Sequence, residues 1–295
     1  MKCGFVALVG RPNAGKSTLM NALIKDKIAI VSNKPQTTRS EIRGIFNSEN
    51  SQIIFTDTPG IHKPQHRLGA RMNKQATTVL HGVDVVYLVV DGSVPFSSGD
   101  AYLLQVIENV KVPVFLILNK MDRVEKEKII QLLNDWKQRF PFAEYFPISA
   151  LKQSRFKDLI KTTEKYLPEQ EPLYPTDMIT DEPENFMLAE LIREKVLLAT
   201  NEEVPHATAV YIENKEFKKN AAYIQAVILV ERQGQKGIII GKNGTMLKRI
   251  ATLAREDMEQ ILGRKVYLEI FVRVEEEWRN KDKKITEYGY GFIDE

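Results

Sequence analysis

The sequence predicts a two-domain chain: an α/β domain with a mostly parallel sheet covered by helices, followed by a smaller α+β domain. Apolar runs alternate with helical patterns up to about Leu167, as in parallel sheets that are buried on both faces. A glycine-containing loop joins the first apolar run to a helix, and the order of elements changes after a proline-containing segment. A length of 295 residues also suits about two domains.

The elements of the first domain alternate between strand and helix. The strands are short runs rich in Val, Ile and Leu, and the helices have apolar residues three and four positions apart. Ligands of such sheets bind beyond the carboxyl ends of the strands. The predicted strands are Phe5–Val9, Ile53–Phe55, Val83–Val90, Val114–Leu118 and Tyr145–Ile148, and the predicted helices include Asp100–Asn109, Lys126–Phe140 and Phe156–Tyr166.

A linker over residues 168–180 is predicted from Pro168, Pro172 and Pro175, which are interleaved with acidic residues. It separates a domain at 1–167 from a domain at 181–295. The order in the second domain is helix, strand, strand, loop, helix, strand. These elements are predicted at Phe186–Thr200, Ala207–Glu213, Ala222–Glu231, Thr245–Leu262 and Lys265–Val274, with the loop before the second helix.

The composition is that of an ordinary soluble globular protein, with 43% hydrophobic and 27% charged residues. Cys3 is the only cysteine, which excludes an internal disulfide and favours the cytoplasm. The sequence starts directly with a strand pattern rather than a signal peptide, and no apolar run approaches the ~18 residues of a membrane span. We therefore expect any membrane association to be peripheral, on the inner face of the cell membrane.

A phosphate-binding loop is predicted between the first strand and the first helix. Its glycines allow backbone N–H groups to surround phosphate oxygens, and the helix N-terminus adds a positive dipole end. Lys16 would reach the β- and γ-phosphates, and the Ser17 hydroxyl would bind Mg²⁺. The predicted site contains Gly10, Arg11, Pro12, Asn13, Ala14, Gly15, Lys16, Ser17 and Thr18.

Recognition of guanine is predicted from a tetrapeptide that directly follows the strand Val114–Leu118. The carboxylate of Asp122 can accept hydrogen bonds from the ring N–H and the exocyclic amine of guanine, which adenine does not offer. A small-residue loop after the next strand suits the guanine oxygen. The base site is predicted to contain Asn119, Lys120, Met121, Asp122, Ser149 and Ala150.

Two segments between these motifs are predicted to sense the γ-phosphate. Asp57 would reach Mg²⁺ through water, and the Gly60 N–H would donate to the γ-phosphate. In the polar stretch upstream, Thr38 rather than Thr37 is the predicted Mg²⁺ ligand, in a loop that orders only with GTP. Lys16, Thr38 and Gly60 are thus the predicted catalytic residues, and Asp57, Thr58, Pro59, Gly60 and Ile61 are predicted to line the nucleotide.

The residue after Gly60 is Ile61, where Ras-like proteins have a glutamine that orients water. An isoleucine side chain cannot activate water. Arg39 is the one internal candidate for an arginine finger. We therefore expect slow intrinsic hydrolysis of GTP to GDP and phosphate.

With these motifs in order, the first half resembles the Era/TrmE-like branch of the translation-factor-related GTPases, which implies a P-loop GTPase domain. A hydrophobic residue commonly replaces the glutamine in that branch, as Ile61 does here. The resemblance also implies that Asn13 binds K⁺, which supplies the charge of an arginine finger in some members. The alternative is a loop asparagine that hydrogen-bonds its own backbone.

The second half resembles a type II KH domain. A Gly-X-X-Gly loop formed by Gly241 and Gly244 precedes the long helix, and glycines allow an RNA backbone to approach closely. Ile238, Ile239 and Ile240 are predicted to form an apolar wall for bases. The predicted RNA-binding residues are Lys236, Gly237, Ile240, Gly241, Lys242, Asn243, Gly244, Lys248 and Arg249.

The charge of the second half argues mildly against RNA binding, since residues 181–295 contain 18 Lys+Arg and 21 Asp+Glu, a net charge of −3. Cations nevertheless gather in and after the loop, Arg255 among them, so a local patch can bind a few nucleotides. Arg273 and Trp278 would either add base stacking or, for the tryptophan, pack in the core.

A G domain joined to a KH domain narrows the resemblance to the Era family. That implies a monomeric bacterial GTPase that binds the 3′ end of 16S ribosomal RNA during maturation of the 30S subunit. Two alternatives stay open at this point. One is a regulatory GTPase at the inner membrane or in cell-cycle control, and the other is an RNA chaperone whose nucleotide is structural.

Overall fold

The computed structural model describes residues 1–64 and 66–290. Their contacts divide the chain into two units. The first comprises Met1–Ala29, Thr38–Pro64 and Gly69–Asp181, and the second comprises Ile30–Thr37, Gln65–Leu68 and Glu182–Glu295. Within the described ranges, every helix is too short or too polar to cross a lipid bilayer.

A six-stranded sheet with the strand order β2-β3-β1-β4-β5-β6 forms the centre of the first unit. Only β2 runs antiparallel to its neighbour. All residues of β3 and β5 are buried, because both lie inside a sheet that helices cover. The strands are β1 (Lys2–Val9), β2 (Ile42–Asn47), β3 (Ser51–Asp57), β4 (Val85–Asp91), β5 (Val114–Asn119) and β6 (Glu144–Pro147).

Four helices connect these strands, and a fifth follows β6. The loop before α1 and the loops after β3, β5 and β6 lie at the carboxyl edge of the sheet, where the sequence predicts the ligand. The helices are α1 (Lys16–Ile24), α2 (Arg67–Thr78), α3 (Ser98–Ile107), α4 (Lys126–Lys137) and α5 (Phe156–Glu164).

The second unit is built on a three-stranded sheet in which β8 is central, antiparallel to β7 and parallel to β9. Helices pack on one face of this sheet, with Leu188, Ile250 and Ala254 in the shared core. The elements are α6 (Glu184–Ala199), α7 (Val204–Ala207), β7 (Ala209–Lys218), β8 (Ala221–Val230), α8 (Gln233–Ile240), α9 (Thr245–Leu262), β9 (Lys265–Val274) and α10 (Asp282–Glu287).

The sequence analysis missed β2 and misplaced one strand. The segment of β2 has a glycine at its centre and no alternation of its own, so its antiparallel pairing with β3 decides its structure. The strand predicted to begin at Ala207 begins at Ala209, because Val204–Ala207 form a helical turn, and it continues to Lys218.

The segment predicted as a linker packs along the first unit. The Cys3 N–H donates to the Pro168 carbonyl at 3.1 Å, and the Ile45 N–H donates to the Ile179 carbonyl at 2.8 Å. The Gln52 side chain donates to the Tyr174 carbonyl at 2.8 Å. These residues are therefore ordered by the sheet edge rather than acting as a free spacer.

Trp278 is a core residue of the second unit. Its side chain is 0% exposed, and its indole N–H donates to the Ala207 carbonyl at 2.8 Å. The rings of Tyr288 and Tyr290 both lie 5.9 Å from it. Trp278 is thus the packed tryptophan of the two alternatives and not a stacking surface for bases. Residues 291–295, which complete the predicted domain, lie outside the described residues.

Replacing Trp278 with alanine should lower the free energy of unfolding of the second unit by about 3–5 kcal/mol, because the change leaves a large cavity and an unpaired carbonyl. Hydrogen exchange of the full chain measures this, through the amides of β7, β8 and β9. The amides of β1 and β5 should keep their protection, and Trp278→Phe should lose less than Trp278→Ala. Equal exchange in Trp278→Ala and the wild type would contradict the assignment.

Candidate functional site

The side chain of Asn119 joins three loops at the carboxyl edge of the sheet. It is 2% exposed and follows directly from the buried strand β5. Its amide donates to the Ala14 carbonyl at 2.9 Å, and its oxygen accepts from the N–H of Ala150 at 2.9 Å and of Lys120 at 2.8 Å. The predicted phosphate loop and both predicted base loops are therefore fixed against one another.

Lys16 begins α1 and lies folded over the phosphate loop. Its ammonium group donates to the carbonyls of Gly10 and Arg11, each at 3.2 Å. Burial lowers the pKa of Lys16, and the carboxylate of Asp57 opposes that shift. A buried cation held by neutral carbonyls gains most from an anion such as a phosphate oxygen.

Three oxygen-bearing side chains meet beside Lys16. The Ser17 hydroxyl donates to Asp57 Oδ2 at 2.5 Å and lies 2.9 Å from the Thr38 hydroxyl, which itself lies 3.2 Å from Asp57 Oδ2. Burial raises the pKa of Asp57, whereas Lys16 and the two hydroxyls lower it. The other carboxylate oxygen, Asp57 Oδ1, is buried without a hydrogen-bond partner among the described residues. Two hydroxyls and a carboxylate are donors that suit Mg²⁺.

Thr37 is not part of this cluster. Its hydroxyl donates to the Lys34 carbonyl at 2.7 Å and lies 2.6 Å from the Ser32 hydroxyl. Its carbonyl accepts from the guanidinium of Arg193 within the second unit. The arrangement thus agrees with the choice of Thr38 over Thr37, which the sequence analysis based on pattern alone.

The residues after β3 return to the phosphate loop. The Thr58 hydroxyl donates to the Leu8 carbonyl in β1, and the Ile61 N–H donates to the Gly10 carbonyl at 3.2 Å. A Cβ added to Gly60 would lie 2.6 Å from the Pro12 nitrogen, so a side chain there would displace one of the loops. The Ile61 side chain is buried in the core of the first unit. Arg39, the candidate finger, is buried as well.

The predicted base loops hold Asp122 in its ionised form. The Ser149 hydroxyl donates to Asp122 Oδ1 at 2.5 Å, and this hydrogen bond lowers the pKa of the carboxyl. The Met121 N–H donates to the Ile148 carbonyl at 3.0 Å, which fixes the turn that presents Asp122. A half-exposed carboxylate in this position can accept from two donors of one base edge.

Sequence reasoning missed two acidic residues that support the site. Asp91 ends β4 and accepts from the Lys120 ammonium at 2.6 Å, which aligns the lysine at the base site. Asp100 caps α3 and accepts from Arg11 at 3.1 Å, which draws the arginine away from the loop interior. The signal for Asp91 was its place at the end of a buried strand before a glycine.

The predicted RNA loop joins two helices. Lys236, Gly237 and Ile240 lie on α8, a 3₁₀ turn contains Lys242, Asn243 and Gly244, and Lys248 and Arg249 lie in the first two turns of α9. Gly241 and Gly244 have φ angles of 71° and 75°, in the region that favours glycine. A Cβ on Gly241 would meet Met246 Cβ at 2.7 Å. The side chains of Lys242, Lys248 and Arg249 are exposed around the turn.

Two expectations for this loop were wrong. The residues before Gly241 form helix α8 rather than a loop, and as a result Ile239 points into the core and is 0% exposed. Only Ile238 and Ile240 remain accessible as an apolar wall, because a helix turns successive side chains by about 100°.

Arg255 pairs with Glu259 at 2.7 Å, and Arg273 pairs with Glu213 at 2.7 Å, so neither is an uncommitted cation.

Models of two protein families match the chain. The family described as "50S ribosome-binding GTPase" matches residues 5–120, and the family described as "KH domain" matches residues 203–279. The first range contains the phosphate loop, the Asp57 loop and the start of the base site. The second contains the whole sheet of the second unit and the Gly-X-X-Gly loop.

Relatives match over nearly the full length. GTPase Era of Clostridium kluyveri is 47% identical over 98% of this chain and 99% of its own. A crystal structure of a single-residue variant of Aquifex aeolicus Era bound to GDP·AlF4⁻ has a TM-score of 0.96 and 41% identity, over 99% of this chain and 100% of the other. An Era structure in complex with MgGDPNP and nucleotides 1506–1542 of 16S ribosomal RNA has the same TM-score, identity and coverage. The chain therefore belongs to the Era family of GTPases.

Proposed function

We propose that this GTPase binds GTP at the carboxyl edge of its first sheet and uses hydrolysis to control its binding to 16S ribosomal RNA. The single observation that carries the nucleotide site is the joining of three loops by Asn119. Guanine lies against Asp122 and the Ser149–Ala150 loop, and the phosphates lie on the backbone of the Gly10–Ser17 loop.

Mg²⁺ accompanies the nucleotide and supplies charge neutralisation between its phosphates. Ser17, Thr38 and Asp57, whose side chains meet beside Lys16, would hold the ion. The buried oxygen Asp57 Oδ1, without a hydrogen-bond partner among the described residues, supports this assignment because a buried carboxylate oxygen requires a donor or a cation. Lys16 stabilises charge on the transferred phosphoryl group, and the Gly60 N–H donates to it.

Intrinsic hydrolysis is slow in this proposal. The side chain that follows Gly60 is Ile61, which lies in the core and offers no group to orient the attacking water. The Arg39 side chain, the internal candidate for an arginine finger, is buried. Asn13 is exposed and has a left-handed φ of 64° at the tip of the loop. It would hold a K⁺ ion that would supply the missing positive charge.

The RNA ligand is a single-stranded segment near the 3′ end of 16S ribosomal RNA. Support comes from the exposed cations around the turn at Gly241 and from the related Era structure with nucleotides 1506–1542 of that RNA. The exposed cations around this turn can neutralise only a few phosphates, so the affinity for RNA should depend only modestly on salt concentration. The protein acts as a cytoplasmic monomer in maturation of the 30S subunit.

The nucleotide state controls the KH domain through the segment before Thr38. Residues Ile30–Thr37 belong to the second unit, where the Val31 N–H donates to Glu194 at 3.0 Å and Lys34 donates to Asn201 at 2.6 Å. Thr38, the next residue, belongs to the first unit with the Mg²⁺ ligands. Loss of the γ-phosphate frees Thr38 and thereby changes the presentation of the RNA loop.

Co-sedimentation distinguishes the ribosomal role from the membrane alternative. The full chain with GTP is expected to sediment with 30S precursor particles and not with vesicles of inner-membrane lipids. Lys16→Ala should fail to support subunit maturation in cells. Binding to vesicles alone, or normal maturation with Lys16→Ala, would contradict the proposal.

Asp122→Asn should exchange the base preference. The amide cannot accept from both guanine donors, so kcat/KM for GTP should fall about 100-fold, while xanthosine triphosphate should become the better substrate. Steady-state phosphate release with each nucleotide measures the switch. An unchanged ratio between the two nucleotides would remove Asp122 from base recognition.

Gly241→Asp combined with Gly244→Asp should weaken binding to nucleotides 1506–1542 of 16S ribosomal RNA by about tenfold or more, because two carboxylates then face the RNA backbone. Fluorescence anisotropy measures the affinity, and GTP turnover without RNA should stay at the wild-type rate. Gly234→Asp is the control for an added carboxylate: it places one aspartate on exposed α8, where a Cβ meets nothing within 4 Å. Equal binding by the double variant and the control would refute the loop.

Asn13→Ala should remove the dependence of hydrolysis on potassium. Wild-type turnover is expected to rise by about tenfold or more when K⁺ replaces Na⁺ at constant ionic strength. A positioned cation stabilises the negative charge that develops in the transition state. The variant should show one rate in both salts. A rate that still rises with K⁺ would return Asn13 to the role of an ordinary loop asparagine.

A further inference from the structure

The sheet of the second unit has a second face, opposite the one that α6 and α9 cover. Inward residues of β8 such as Ala222, Ile224 and Ala226 belong to the core under α6 and α9. The alternate residues of β7, β8 and β9 point to the opposite face. The strand register groups the relevant outward residues in rows of three: Lys218, Ala221 and Lys265; Glu216, Tyr223 and Tyr267; Asn214, Gln225 and Glu269; Tyr211, Val227 and Phe271.

A pair of stacked tyrosines lies in the second row. Tyr223 and Tyr267 are directly opposite one another, with ring centroids 4.8 Å apart and an angle of 14° between the rings. Tyr223 is 39% exposed and Tyr267 is 57% exposed. Large aromatic side chains are mostly buried in folded domains, so an ordered exposed pair suggests a binding surface.

Another tyrosine on the same face, Tyr211, is covered by a second aromatic ring of the chain. At the other end of β7, the ring of Tyr211 is stacked on Tyr288, with centroids 5.7 Å apart and an angle of 7°. That end is thus covered by the C-terminal segment of the chain itself. Among the described residues, Tyr223 and Tyr267 have no such cover, although the pairing of β8 with β9 continues without a break from one end to the other.

The neighbouring rows carry the groups that a polynucleotide requires. Lys218 and Lys265 flank the tyrosines on one side, and the Lys218 ammonium lies 4.5 Å from the centroid of the Tyr223 ring. On the other side, the Gln225 amide donates to Glu269 at 2.9 Å. The order across the face is therefore cations for phosphates, planar rings for bases, and amide and carboxylate groups for base edges.

We infer that this outer face, defined by Lys218, Tyr223, Gln225, Tyr267 and Lys265, is a second binding surface for unpaired RNA bases. It rests on the proposed function, since it takes the same RNA that the Gly241 loop binds. A base adds to the open side of the Tyr267 ring and so extends the offset stack that the two tyrosines already form. The lysines contact the phosphates on either side of that base.

Charge and residue type favour RNA over a protein partner. Lysine is depleted at the centre of protein interfaces, whereas here two lysines border the rings. Glu216 and Glu269 reduce the positive charge of the face, and Glu216 lies 3.5 Å from the Lys218 ammonium. We therefore expect the surface to recognise RNA by stacking on bases and by hydrogen bonds to base edges. It should add little to the salt dependence of RNA binding.

The test uses the full chain and nucleotides 1506–1542 of 16S ribosomal RNA, with affinity measured by fluorescence anisotropy. Tyr223→Ala combined with Tyr267→Ala should weaken binding about fivefold or more, as expected when a base loses its stacking partner. Tyr223→Phe combined with Tyr267→Phe keeps both rings and should restore affinity. Tyr102→Ala, at an exposed tyrosine of α3, is the matched control and should bind as the wild type does.

Photocrosslinking locates the contact independently. RNA of the same sequence with 4-thiouridine is irradiated on the wild type, and adducts are mapped by mass spectrometry to the peptides of Tyr223 and Tyr267. Hydrogen exchange of β8 and GTP turnover confirm that each variant is folded. Unaltered affinity of the alanine double variant together with an absence of adducts would overturn this surface while leaving the Gly241 loop in place.

Two other results would also overturn it. If wild-type RNA binding is absent, the proposed function and this inference both fail. If the alanine double variant changes only the sedimentation of the protein, from dimer to monomer, or only its retention of a protein partner, the face is a protein interface. A protein interface of either kind predicts that the alanine double variant binds RNA as tightly as the wild type does.

Discussion

The buried carboxamide of Asn119 is the interaction on which the functional end of the first unit depends. Its three hydrogen bonds use both its donor and its acceptor to hold the loops of Ala14, Lys120 and Ala150 together. A buried amide left unpaired costs about 1–3 kcal/mol, so these bonds are made or lost as a set. Because β5 lies inside the sheet, between β4 and β6, and is fully buried, it holds the backbone of Asn119 in a fixed position. The phosphate site and the base site are therefore one rigid object.

The cluster of Lys16, Ser17, Thr38 and Asp57 differs from this rigid edge in its electrostatics. Lys16 and Asp57 are buried with pKa shifts that disfavour their charged forms, and burial is the larger cause in both. Ligand phosphates and Mg²⁺ would reverse this cost by supplying the missing charges. Thr38 reaches the cluster from a segment whose preceding residues belong to the second unit. In the proposed function, the rigid edge would recognise the nucleotide, and the cluster around Asp57 would sense its third phosphate.

The sequence predicted the positions of those motifs whose residues all lie within one short segment. The phosphate loop, the Asp57 loop and the Asn119–Asp122 turn were all placed correctly at strand ends, since each is fixed by local backbone requirements. Prediction failed where pairing or helical phase decided the outcome. Strand β2 depends on its pairing with β3. Ile239 is buried because α8 begins early enough to turn it inward, which the glycine-rich pattern did not reveal.

By itself the sequence determined the two domains, the nucleotide motifs and the Gly-X-X-Gly loop, because these are encoded by residues close together in the chain. Only the tertiary structure decided that Asp91 aligns Lys120 and that Trp278 fills the core of the second unit. Only the register between β8 and β9 places Tyr223 against Tyr267. Residues so far apart in the chain meet through strand pairing, and no local spacing encodes such a meeting.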